Sequence, residues 1–216
     1  MQIQCFTFNP FQENTYILYD ETKECVIIDP GCYDAEEKQE LFDFIKVHEL
    51  KPVHLLNTHC HIDHVLGNHF VFTAFQLQPE IHPAEEAVLA ATKEYGPQFG
   101  IYMEASPPPL LILQEGNTIT FGNCTLEMIH APGHSPGSIC FHHKESHTLI
   151  GGDVLFQMSI GRTDLPGGNM TALLRSIREK LFTLDPETIV FPGHGPETSI
   201  KFEKLNNPFL LAYKDS

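Results

Sequence analysis

Basic side chains are scarce in this sequence. Its 216 residues carry 13 Lys and Arg against 28 Asp and Glu, a formal net charge of −15 with histidine neutral. No basic stripe is available for phosphate contacts, so a nucleic-acid partner is not expected, nor is attraction to an anionic membrane. No apolar run approaches the roughly 20 residues of a membrane span. The start, Met1-Gln2-Ile3-Gln4-Cys5-Phe6, alternates like a strand and lacks a basic n-region, so no signal peptide is expected. Cys5, Cys25, Cys32, Cys60, Cys124 and Cys140 form no Cys-x-x-Cys pair. Read as reduced thiols, they point to a cytoplasmic location.

What is present is enough for a folded core: 42% of the residues are apolar. The pattern predicts one domain over residues 1–216. Strands are expected at Ile3–Phe8, Thr15–Tyr19, Val26–Ile28 and Val53–Leu56, with a helix over Asp34–His48 whose apolar face carries Leu41, Phe42, Ile45 and Val47. A further helix should begin near Asp63. Ile81-His82-Pro83 reads as a strand end, followed by a helix from Pro83 to about Glu94. Residues 96–109, with Gly96-Pro97, Gly100 and Pro107-Pro108-Pro109, break the pattern and read as a loop. Strands resume at Thr118–Phe121, Thr125–Ile129, Ile139–His143, Thr148–Ile150 and Thr188–Phe191. Helices are expected at Ala172–Phe182 and from Ile200 to Asn207-Pro208. Strands open each half and helices follow, which suits two sheets with helices outside them.

The sequence holds 13 histidines, as many as Lys and Arg together. Histidine is the commonest metal ligand near neutral pH. His59-Cys60-His61-Ile62-Asp63-His64 packs four candidate ligands directly behind an apolar strand. In an extended segment His59 and His61 point the same way, and a turn then brings Asp63 and His64 round. Three later segments share one grammar, a strand followed by a Gly-rich turn with a single candidate ligand. They are Ala131-Pro132-Gly133-His134-Ser135-Pro136-Gly137, Gly151-Gly152-Asp153 and Pro192-Gly193-His194-Gly195-Pro196. Each alone is weak; together and in this order they are specific.

This arrangement resembles the metallo-β-lactamase superfamily across nearly the whole chain. Thr58-His59, Pro132-Gly133-His134-Ser135-Pro136-Gly137-Ser138, Gly152-Asp153-Val154-Leu155-Phe156, Gly161-Arg162-Thr163-Asp164 and the late Asn207-Pro208 resemble its glyoxalase II, or hydroxyacylglutathione hydrolase, branch. The resemblance implies an α/β (α+β) fold: a four-layer αββα sandwich of two mixed β-sheets with helices outside. It implies two Zn²⁺ per chain, for which iron or manganese could substitute. One would be held by His59, His61 and His134, the other by Asp63, His64 and His194, with Asp153 bridging. The implied reaction is attack of a bridging hydroxide on a small thioester or activated ester, with Asp63 also orienting the hydroxide.

Only 22 residues follow His194, too few for the helical domain that supplies glutathione-binding residues in glyoxalase II proper. The chain is therefore expected to resemble the compact bacterial members. A mononuclear iron persulfide dioxygenase and a lactonase or β-lactamase of the same superfamily are the alternatives; a nuclease and a non-catalytic metal-binding module are weaker ones. Asp29, in Ile28-Asp29-Pro30-Gly31, either supports a metal-bound histidine or shapes a Pro-Gly turn. Arg162 and Asp164 are expected to form a buried brace under the site, with contact to an anionic substrate as the other reading. His130 falls outside the ligand pattern, and His69 and His82 are read as packing or capping. His142, His143 and His147 are read as an exposed hairpin tip. Cys60 is read as packed rather than ligating. Residues 96–109, with Tyr95, Phe99, Tyr102 and Met103, either cover the substrate cleft or pack on their own aromatics.

Overall fold

The computed structural model describes residues 1–212. One sheet has the order β1 (Gln2–Phe8), β2 (Glu13–Tyr19), β3 (Glu24–Ile28), β4 (Lys51–Leu56) and β5 (Pro79–Glu80). Its β1–β2 and β2–β3 pairs are antiparallel, while β3–β4 and β4–β5 are parallel. The second sheet is built from β6 (Thr118–Phe121), β7 (Cys124–His130), β8 (Ile139–His143) and β9 (Thr148–Gly152). A short hairpin, β10 (Leu155–Phe156) and β11 (Ser159–Ile160), interrupts it before β12 (Ile189–Pro192) and β13 (Thr198–Ser199) complete it. Its order is β13-β12-β9-β8-β7-β6, with β12–β9 the parallel pair.

The helices are α1 (Ala35–Val47), α2 (Ile62–Val65), α3 (Asn68–Phe75), α4 (Glu86–Tyr95), α5 (Met170–Glu179), α6 (Ile200–Asn206) and α7 (Pro208–Leu211). Side-chain caps start four of them. Asp34 accepts from Glu36 N and Glu37 N, both at 2.9 Å, and Asn169, Ser199 and Asn207 accept in the same way at α5, α6 and α7.

Alternation along the strands sorts the apolar residues into layers. Tyr16, Leu18, Val26 and Ile28 meet Phe121, Leu126, Ile139 and Phe141 between the sheets. Ile17, Cys25, Ile27 and Leu55 face the other way, onto Leu41 and Ile45 of α1 and Val71 of α3. Cys140, Leu149 and Val190 face Leu173 and Ile177 of α5, Ile200 of α6 and Leu210 of α7. The result is the expected αββα sandwich. No helix among the described residues is long and apolar enough to cross a membrane.

Several local expectations need correction. The helix expected from Asp63 is split into α2 and α3, and between them Gly67 passes so close to Pro30 and Cys32 that a Cβ there would lie 2.5 Å from the Cys32 sulfur. Ile81-His82-Pro83 follows directly on the end of β5, where His82 Nδ1 accepts from Ala84 N at 3.1 Å and caps the 3₁₀ turn Pro83–Glu85 that precedes α4. His142 and His143 are not at a hairpin tip. They are buried on β8, where His142 lies opposite Glu127 and His143 Nδ1 accepts from Ser146. The exposed turn is 144–147, and of the three histidines it holds only His147.

His54 Nδ1 lies 2.6 Å from Glu80 Oε1 across β4 and β5. That hydrogen bond, working against burial, raises the imidazole above its usual 6.5. A raised folded-state value contributes stability that is complete below about pH 6.5 and fades as pH climbs through the folded value. The melting temperature should therefore fall as pH rises from about 6 into the alkaline range, by a free-energy change of about 1–2 kcal/mol. In His54→Gln that slope should be smaller; identical slopes in the two proteins would contradict the assignment.

Candidate metal centre

Strands of both sheets end at one edge of the sandwich, and each delivers a polar side chain there. Asp29 follows β3, His59 follows β4, and His134, Asp153 and His194 follow β7, β9 and β12 in turn. His61 precedes α2, and Asp63 and His64 lie within it. All seven residues singled out as ligands come together.

They form two groups. His59, His61 and His134 offer nitrogen atoms within 4.8 Å of one another, and so do the donor atoms of Asp63, His64 and His194. His61 Nδ1 lies 2.8 Å from His134 Nε2, which is 3.2 Å from His59 Nε2. In the second group His194 Nε2 lies 3.1 Å from Asp63 Oδ2. Asp153 stands between the groups. Its Oδ2 is 3.5 Å from His134 Nε2 and 3.6 Å from His194 Nε2, and its Oδ1 is 3.5 Å from His64 Nε2.

These donor atoms fit a metal. His64 Nε2 and Asp153 Oδ1 are buried without a hydrogen-bond partner, a costly state for a polar atom unless something else satisfies it. Imidazole nitrogens converging at 2.8 and 3.2 Å present lone pairs to one point. Imidazole and carboxylate together suit Zn²⁺, and also iron or manganese. The electrostatics agree. Burial, then the neighbouring histidines, hold His59 well below the usual imidazole range, and burial brings His61 to about 4. Both are thus neutral at pH 7, as a metal-binding imidazole must be. Burial also disfavours a charged His64, but Asp63, Asp153 and Asp29 outweigh it and hold its proton tightly. A cation at Nε2 would take the place of that proton. Burial works against ionising Asp153 and Asp63, yet the adjacent histidines hold both carboxyls below their usual range.

Three of the imidazoles are anchored through their other ring nitrogen, which fixes their orientation. His64 Nδ1 donates to Asp29 Oδ2 at 3.0 Å, His134 Nδ1 to Arg162 O at 2.8 Å, and His194 Nδ1 to Phe11 O at 3.1 Å. Asp29 is itself clamped, accepting from Thr58 N at 2.7 Å and from Thr58 Oγ1. It holds φ at +48°, an uncommon conformation for a residue other than glycine. Asp29 thus both supports His64 and shapes the turn. The geometry groups it with His59 and His64 as a further candidate set, but its carboxylate is already occupied from behind by Thr58 and His64. Gly193 is required by proximity: a Cβ there would lie 2.2 Å from Asp153 Oδ1 and 2.6 Å from His64 Cε1.

Two expectations change here. Arg162 and Asp164 do pair, at 2.7 Å, but in the open, with side chains 61% and 69% exposed. The segment braces the site through the Arg162 carbonyl on His134 instead. Cys60 is packed as expected, with Val65, Ile81 and Leu89.

Two buried carboxylates escaped the sequence. Glu85 accepts from Cys60 N at 2.8 Å, and from Ser135 Oγ and Gly137 N at 2.5 and 2.6 Å. It therefore ties the His59 loop to the His134 loop. Glu13 lies behind His64, its Oε1 3.8 Å from Nδ1. Neither sits in a motif, and an acid at a helix start reads as a solvated first turn.

The family model described as the metallo-beta-lactamase superfamily matches residues 8–194. The chain is 41% identical over 206 residues to the probable metallo-hydrolase YqgX of Bacillus subtilis, covering 94% of this chain and 95% of that one. It is 36% identical over 216 residues to the hydroxyacylglutathione hydrolase GloC of Haemophilus influenzae, covering 97% and 98%. Among solved structures, the BLEG-1 B3 metallo-beta-lactamase superposes with a TM-score of 0.86 at 38% identity, covering 97% and 99%. TTHA1623 in a di-iron-bound form gives 0.86 at 36%, covering 96% and 100%.

Proposed function

Since the chain belongs to the metallo-beta-lactamase superfamily and is a metal-dependent hydrolase of that group, we propose that it cleaves a small thioester at a two-metal centre. The observation that carries this is the meeting of two complete donor sets at one unpartnered carboxylate, Asp153. His59, His61 and His134 would hold one ion, Asp63, His64 and His194 the other, and Asp153 would touch both. Zinc bound there, or iron or manganese in its place, would supply Lewis acidity and bring the pKa of water near neutrality.

The chain's own groups do the rest. Asp63 is ionised, so it accepts a hydrogen bond from the attacking water and aims it. His59 and His61 remain neutral and would leave the positive charge of a bound metal uncancelled beside the substrate carbonyl. Hydrolysis forms a C–O bond and breaks the C–S bond. A thiolate leaves readily and needs little protonation, consistent with the lack of a separate general acid among these residues. The likeness to GloC supports a thioester; the likeness to TTHA1623 leaves iron open as the native metal.

The test is metal analysis of the purified protein beside a panel of thioesters, esters and lactones. About two ions per chain with thioester turnover is the expected result. A single iron with oxygen consumption on a persulfide would replace this reading with a dioxygenase. Full metal loading without turnover on any activated ester would overturn catalysis altogether.

A further inference from the structure

Four aromatic rings stand on the Asp63–His194 side of the centre. The Phe11 carbonyl holds His194, and its ring meets Phe99 edge-on with centroids 6.4 Å apart. Phe99 meets Tyr95 edge-on at 6.2 Å. The Phe156 ring lies 6.4 Å from the His194 imidazole. The arc has a firm base, because Tyr95 packs with Ile62 and Leu66, on and just after α2, and with Ile101. Even so, Phe11 and Phe99 remain 38% and 59% exposed. An exposed aromatic pair beside a polar centre marks a surface awaiting an apolar contact.

The described segments that carry these rings lack cations. Residues 8–16, 95–103, 155–160 and 192–196 contain no Lys or Arg. Lys93, two residues before Tyr95, lies across α4 from it. Arg162 reaches the centre through its carbonyl on His134, and its guanidinium is engaged by Asp164.

We propose that this arc seats an uncharged apolar substituent of the substrate, a phenyl or branched alkyl group next to the thioester bond. The protein would then act on neutral aryl or alkyl thioesters in preference to anionic glutathione thioesters. The proposal rests on the thioesterase reading and names its substrate class. A glutathione thioester carries two carboxylates and one ammonium. None of these described segments offers a Lys or Arg to the carboxylates, and drying a carboxylate against aromatic rings without a partner is unfavourable. An apolar group gains by covering the exposed rings. Water adds its oxygen to the acyl carbon, the sulfur leaves as thiolate, and the released proton goes to solvent.

The experiment uses the fully metallated protein. Its kcat/KM is measured for the phenylacetyl thioester of an uncharged thiol and for S-lactoylglutathione. Binding of a non-hydrolysable thioether analogue of the first is followed by calorimetry. The neutral aryl thioester should be preferred by about tenfold or more, roughly the value of covering part of one ring. Phe99→Ala should cut that preference about tenfold through KM and weaken analogue binding to match. Phe11→Ala should do the same, and circular dichroism should show both variants folded. A preference for S-lactoylglutathione, or a preference unchanged in both variants, overturns the arc while leaving the hydrolase intact. Failure to cleave either thioester when both metals are bound overturns the proposed function instead.

Discussion

Asp153→Ala is expected to give a folded protein that holds no more than one metal ion per chain and has lost thioester hydrolysis by about 10³-fold. Asp153 approaches His64, His134 and His194, members of both donor sets, at 3.5 to 3.6 Å. Its loss would therefore strip a ligand from each ion at once. Removing a single preorganised electrostatic group from an active site already costs about 10²–10³ in rate, and here the second metal would go as well. Asp153→Asn separates charge from shape. It keeps an oxygen in place but loses the negative charge, so it should bind metal more weakly than the native protein and more strongly than Asp153→Ala. Metal content by mass spectrometry and turnover on one thioester are the readouts. A variant retaining both ions and native turnover would remove Asp153 from the centre.

Glu85→Ala should produce the largest loss of stability among substitutions of residues that approach no candidate metal. The Glu85 carboxylate is fully buried and accepts from Cys60 N, Ser135 Oγ and Gly137 N. Each stranded buried donor costs about 1–3 kcal/mol, and the costs are not additive. A total of about 3–5 kcal/mol is expected, which for a domain of this size lowers the melting temperature by roughly 10 °C. The effect should reach the metals. Cys60 lies between His59 and His61, and Ser135 follows His134, so freeing both loops should weaken metal affinity by about 10–100-fold in chelator competition. Glu85→Gln, which keeps an acceptor oxygen but turns an amide toward one donor, should fall between. An unchanged melting curve for Glu85→Ala would show that the tether carries no strain.

These two residues mark what the sequence could and could not disclose. Asp153 was legible because its chemistry is local, a ligand type on a glycine turn behind an apolar strand. The same holds for His59, His61, Asp63, His64, His134 and His194. The layers were legible too, since Tyr16-Ile17-Leu18 of β2 and Ile139-Cys140-Phe141 of β8 are short apolar runs within strands buried on both faces. Glu85 was illegible because its partners lie 25, 50 and 52 residues away. Nothing near it distinguishes a carboxylate that will fasten two distant loops from one that will face water. His142 and His143 misled for the opposite reason. They adjoin a polar turn and look solvated, yet β8 lies between β7 and β9, where even polar side chains are enclosed. At Gly161-Arg162-Thr163-Asp164 the side chains attracted attention, but the working atom is a backbone oxygen.

The two donor sets that meet at Asp153 are each divided along the chain in the same way. His59 and His61 wait for His134, and Asp63 and His64 wait for His194. A ribosome that has made the first 133 residues has made four of the seven candidate ligands and completed neither set. The first closes only when the second sheet has begun to form, and the other only when β12 has been laid beside β9. A metal ion taken up by either complete set would therefore need both sheets in place.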